Sequence, residues 1–158
     1  MASLFICPAC CDALDWSGLV DDFRAFQISE MPLGSFSASF LMYAYRQLTV
    51  VLTPRLMQLR RLVIGEVARF PELAKILYER GPQCAIAFLA QTFKRLAGRG
   101  LLVIDDPLIA ATQFNWLVMS EPLNKAMLLG DEAIPKPTAL RRHAAEGVRV
   151  FLAAYGKK

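Results

Sequence analysis

From residue 35 onward, apolar positions recur at intervals of three and four, and proline, glycine and capping residues cut the pattern into helix-length pieces. Ser35 is placed to cap a helix reaching about Leu52. Thr53–Pro54 is an N-cap followed by a first-turn proline, and it opens a helix expected to run to Phe70. Leu56, Leu59, Val63, Val67 and Phe70 form one apolar face of that helix. A short helix over Pro71 to Arg80 would turn Leu73, Ile76 and Leu77 inward, and Gly81–Pro82 would stop it. A longer helix, Pro82 to Ala97, places Ala85, Phe88, Leu89, Thr92 and Leu96 on one side, with Gly98 and Gly100 at its end.

Asp105-Asp106-Pro107 is a further start signal, since acids there meet the positive end of the helix dipole. The helix it opens, Pro107 to Ser120, is apolar all round, so more than its own core should cover it. Pro122 should begin another short helix to Leu129, and Gly130 to Pro137 reads as a loop. The last helix, Thr138 to Tyr155, carries the stripe Leu140, Ala144, Val148, Phe151 and Tyr155. The apolar run Leu101 to Ile104 is too short for a strand and is bounded by helix signals, so the fold class is all-α. Residues 1–34 differ: they hold three of the four cysteines and one candidate helix, Trp16 to Phe26, before Pro32 and Gly34 break the pattern.

The chain has 158 residues, enough for one domain with a substantial core, and 55% of them are hydrophobic. That fraction excludes disorder and suggests apolar surface that meets a partner chain. No run approaches the ~18 apolar residues of a membrane span, and no secretory signal is visible, so the expected setting is cytoplasmic. The net charge of +4 is scattered. The arginine pairs Arg60–Arg61 and Arg141–Arg142 read as solvated helix faces rather than as a stripe for nucleic acid. Cys7, Cys10 and Cys11 resemble half of a zinc ribbon, but Cys84 and His143 supply no second ligand pair. Neither a metal nor another cofactor is expected, and with a single histidine no catalytic set is visible, so an enzyme is not expected.

Four segments in this order carry a family resemblance: LRRLVIGEVARFPEL at 59–73, YERGP at 78–82, DDP at 105–107 followed by AATQF at 110–114, and VFLAAYG at 150–156. Together they make residues 35–156 resemble the C-terminal domain of TetR-type transcriptional regulators, in particular the AefR-like branch. The resemblance implies an antiparallel helical bundle of about six to eight helices. It also implies a pocket for a small, largely apolar effector and a homodimer formed by the last two long helices. The helix-turn-helix that reads DNA in such regulators is not legible in Met1 to Met31. DNA is therefore expected as a partner only if that half is supplied elsewhere.

On this reading Phe40, Tyr43, Met57, Phe88, Thr92, Phe114 and Leu117 are the pocket candidates, although for any one of them filling the core is the favoured role. Trp116, Met119, Leu140, Ala144, Val148, Phe151 and Tyr155 are the candidates for the dimer surface. Gln113 and Asn115 are amides within an apolar helix; each orients a ligand, bonds across the dimer or bonds to a neighbouring helix. Glu66 is expected to pair with Arg69, and His143 to be solvated or at the interface. An alternative role is an interaction protein that forms mixed dimers with full-length relatives and blocks their DNA binding.

Overall fold

The computed structural model describes residues 36–157. The segment 1–34, the candidate helix Trp16 to Phe26, the Cys7, Cys10 and Cys11 cluster and the Ser35 cap lie outside the described residues. The described residues form six α-helices: α1 (Phe36–Val51), α2 (Pro54–Gly65), α3 (Pro71–Tyr78), α4 (Cys84–Gly98), α5 (Pro107–Leu129) and α6 (Pro137–Tyr155). The described residues are all-α. The one β feature among them is an isolated antiparallel bridge between Leu102 and Gly156, which ties the α4–α5 linker to the end of α6. Among the described residues no helix is long and apolar enough to cross a membrane.

The capping signals act as the sequence suggests. Thr53 accepts from the Leu56 amide at the start of α2, and Asp106 accepts from Leu108 and Ile109 at the start of α5. At the end of α4, the Gly100 amide bonds to Ala97 and the Leu101 amide to Leu96, with Gly100 at φ 69°. This is the glycine-terminated hydrogen-bond pair that satisfies the last carbonyls of a helix.

Three proline-based boundaries come out differently. α2 stops at Gly65 rather than Phe70, and the chain passes through turns to Phe70, which lies outside the helical region at φ −134° and ψ 65°. Glycine weakens the helix there, and Pro71 bars its predecessor from helical geometry. Val67, Phe70, Leu73 and Ile76 are consequently exposed rather than inward. Gly81–Pro82 does not stop the helix either. The backbone widens into a π-turn, Glu79–Gln83, and continues into α4, so α3 and α4 are helically continuous. The wider turn accommodates the proline ring that a regular α-helix would exclude. Pro122 likewise lies inside α5 and starts no helix of its own.

The core lies where α1 packs on α6, α4 on α5, and α5 on α6. Its centre is aromatic. Phe40, Phe93, Phe114 and Phe151 meet one another with ring centroids 4.9–5.8 Å apart in stacked, tilted and edge-to-face pairs. α2 is fastened to the turn after α5 by Arg61, which ion-pairs with Asp131 and donates to the Ala126 carbonyl at 2.9 Å. Gln58 donates to the other Asp131 oxygen at 2.8 Å. Arg61 is thus a structural clamp and not part of a solvated arginine pair. Glu66 and Arg69 do pair, at 3.4 Å on the surface.

Candidate functional site

Two spaces adjoin the core. The first is an aromatic cavity lined by Phe40, Tyr43, Phe88, Leu89, Thr92, Phe93 and Phe114. It brings together five of the seven pocket candidates. Met57 is wholly buried elsewhere in the core, and Leu117 is half-buried beside Gly147. The cavity volume is only about 10 Å³, near the threshold for one water. Burial pushes the Tyr43 hydroxyl well above its ordinary value, so it stays a neutral phenol. In this structure these residues fill the core.

The second space is a cleft between α1, α2, the π-turn and α5, with a cavity volume of about 30 Å³. Its wall is mostly apolar: Val51, Gly81, Pro82, Ala85, Trp116, Met119 and Leu123. Three polar side chains converge on it. Gln47 from α1 is 4% exposed and donates through Nε2 to Asn115 Oδ1 of α5 at 2.7 Å. Its own Oε1 is buried with no partner among the described residues. Arg60 of α2 completes the set, and partial burial lowers its affinity for its proton from the ordinary guanidinium value.

Asn115 therefore makes an interhelix bond, one of the three roles its place in an apolar helix left open. Gln113 is exposed and accepts from the Tyr155 hydroxyl. Gln47 and Arg60 had no comparable signal in the sequence. A glutamine and an arginine within helical patterns look like solvent-facing positions until the packing shows what covers them.

Most of the proposed dimer stripe points inward. Met119, Leu140, Ala144, Val148 and Phe151 are each at most 4% exposed and belong to the chain's own core. The physical reason is that α6 has one broad apolar stripe, and α1 with α5 takes it. Met119 and Trp116 both line the cleft, and Trp116 remains 46% exposed. Tyr155 is half-buried against Phe151. The apolar side chains left outside on α5 and α6 are Leu108, Ile109, Trp116, Leu128, Leu129 and Val150. His143 is neither solvated nor unpartnered: its ring nitrogen bonds to the Val118 carbonyl within the chain.

The family profile described as the AefR-like transcriptional repressor, C-terminal domain, matches residues 39–157. The chain belongs to this TetR-type family. A crystal structure at 1.54 Å of a protein described as a TetR-family transcriptional regulator from Mesorhizobium loti MAFF303099 is 31% identical, with a TM-score of 0.81. That alignment covers 90% of this chain and 70% of the other. The flavonoid-responsive regulator FrrA is 29% identical with a TM-score of 0.66, over 92% of this chain and 75% of its own. No curated protein matches. The TetR-type assignment makes the described residues a regulator's ligand-binding and dimerisation domain. Regulators of this family typically dimerise and bind small effectors.

Proposed function

We propose that residues 36–157 sense a small, largely apolar effector in the cleft at the π-turn and pair with a second copy through the outer faces of α5 and α6. The observation that carries the effector site is a mostly apolar wall onto which three polar side chains converge, one of them with an unpartnered buried oxygen. Ligand sites combine a greasy lining with a few placed polar groups in this way. The π-turn supports the same reading, because such insertions concentrate at functional sites and give a helix room to adjust. FrrA responds, by its name, to flavonoids. We carry from it only that an aromatic effector suits this scaffold.

Pairing is supported by Leu108, Ile109 and Val150, apolar side chains that the chain's own fold leaves outside. Fully burying one such side chain contributes about 1.5–3 kcal/mol before the entropy of association is counted. Native mass spectrometry of the undenatured protein tests both halves. A dimer mass with an added small molecule is expected. A strictly monomeric chain at micromolar concentration would overturn the pairing. Ile109→Asp should yield a folded monomer, whereas Leu140→Asp should unfold the chain, because only the second side chain is in the core.

A further inference from the structure

We infer that the cleft takes a hydroxylated aromatic acid, its hydroxyl meeting the Gln47–Asn115 amide pair and its acidic group meeting Arg60. This rests on the reading of the cleft as the effector site and specifies the chemistry of what enters it.

The amide pair sets the first requirement. Gln47 Nε2 is used on Asn115 Oδ1, and Gln47 Oε1 is buried with no partner among the described residues. Such an oxygen is costly until something donates to it. The two amides could also exchange roles by flipping together, which would present an N–H in place of the oxygen. A hydroxyl satisfies either arrangement, because it both donates and accepts. A purely donating or purely accepting ligand group fits only one.

Arg60 sets the second requirement. It makes no hydrogen bond or ion pair among the described residues, while its neighbour Arg61 holds Asp131. Among the described residues the cleft wall contains no carboxylate, and Arg60 is its only charged group. A half-buried guanidinium without an anion has lost hydration and gained nothing in return, and a carboxylate or acidic phenol would supply two charge-assisted bonds.

The remaining wall selects the body of the ligand. Trp116 contributes an aromatic side chain, Met119 a polarisable thioether, and Val51, Pro82 and Ala85 further apolar surface. The volume of about 30 Å³ holds a water or two and no ring. Entry of a ring therefore requires outward movement of half-exposed Trp116 or of the π-turn, and binding is coupled to a shift in that segment.

The test is calorimetry of the full chain with 4-hydroxycinnamate, cinnamate, 4-vinylphenol and styrene, which differ only in the hydroxyl and the carboxylate. Preference for 4-hydroxycinnamate is expected, with about tenfold weaker binding when either group is removed, since a hydrogen bond to a charged or buried partner is worth at least that. Arg60→Gln should erase the preference for the carboxylate and leave that for the hydroxyl. The double variant Gln47→Leu/Asn115→Leu, which strands no buried partner, should do the reverse. Styrene binding as well as 4-hydroxycinnamate, with Ala85→Trp blocking both, would overturn the ligand class and leave the effector site standing. Binding unaffected by Ala85→Trp would remove the cleft itself from consideration. No binding by any of the four would overturn the ligand class, and a co-purified neutral molecule would then preserve the site.

Discussion

His143 Nε2 donates to the backbone carbonyl of Val118 across 3.0 Å, and Val118 is the residue whose helical partner amide is missing at Pro122. A carbonyl can only accept, so the proton lies on Nε2. In a regular α-helix the amide of residue 122 would bond to this oxygen, but proline has none to give. A side chain from α6 thus repairs the break in α5, and the helix runs on to Leu129.

The repair predicts a coupled pair. His143→Ala should destabilise the chain by about 1–3 kcal/mol, because it strands a carbonyl. In a Pro122→Ala background the backbone amide returns to Val118, and the same His143→Ala change should cost measurably less. A urea-denaturation double-mutant cycle reads the difference. Equal costs in both backgrounds would show that the histidine and the proline act independently.

Asp131 gives a pH prediction. The hydrogen bonds from Arg61 and then Gln58, with the charge of Arg61, hold its carboxyl below the ordinary aspartate range. The unfolded chain therefore binds this proton more readily than the folded one. The stabilisation is present above the unfolded value of about 3.9 and is lost as pH falls through the lower folded value. Asp131→Asn should lower the urea midpoint at neutral pH and leave a shallower acid limb, so that the two proteins converge at the acid end. Parallel midpoint curves from pH 7 to the acid end would remove the clamp as the cause.

Two glycines should respond oppositely to alanine. Gly130 follows α5 at φ 90° and ψ −175°, a conformation almost confined to glycine, so Gly130→Ala should cost about 1–3 kcal/mol. Gly147 lies within α6, and a Cβ there would meet the Leu117 carbonyl and a Val118 methyl at 3.6 Å, an ordinary contact. Gly147→Ala should therefore stabilise by about 0.5–1 kcal/mol through helix propensity. Melting temperatures shifted in opposite directions would bear this out.

The buried amides should show the asymmetry of hydrogen bonding in a core. Asn115→Leu alone strands the Gln47 donor and should cost about 1–3 kcal/mol, while Gln47→Leu/Asn115→Leu should lie close to the original stability. Denaturant midpoints of the three proteins check the order. A double variant weaker than the single one would mean that the pair serves the fold and not the cleft.

Local chemistry made the helix starts legible. Thr53–Pro54 and Asp106–Pro107 begin α2 and α5 because a capping oxygen and a proline need only their own neighbours. Gly98 and Gly100 likewise lie at the end of α4. The same logic failed at Pro82 and Pro122. A proline's local cost can be met from a distance, by a π-turn in one case and by a histidine 21 positions further along in the other.

Of the polar side chains on the cleft, Asn115 stood out in the sequence as an amide within an apolar helix, whereas Gln47 and Arg60 did not, and none of the seven pocket candidates lines that cleft. Five of the seven pocket candidates do meet at one cavity, yet they close it with their own rings. The stripe assigned to a twin molecule is largely the chain's own core.

What the sequence by itself determined was the all-α class, most helix starts and the family, since propensity, capping and ordered motifs are properties of neighbours along the chain. Tertiary structure alone decided which side of each apolar helix is covered by α1, α4 or α5, and so which amides and which arginine are drawn inward. Periodicity gives a helix a greasy side but not a partner for it. The partner is fixed by how several helices share one interior, and that choice left Gln47 and Arg60 on the wall of a cleft.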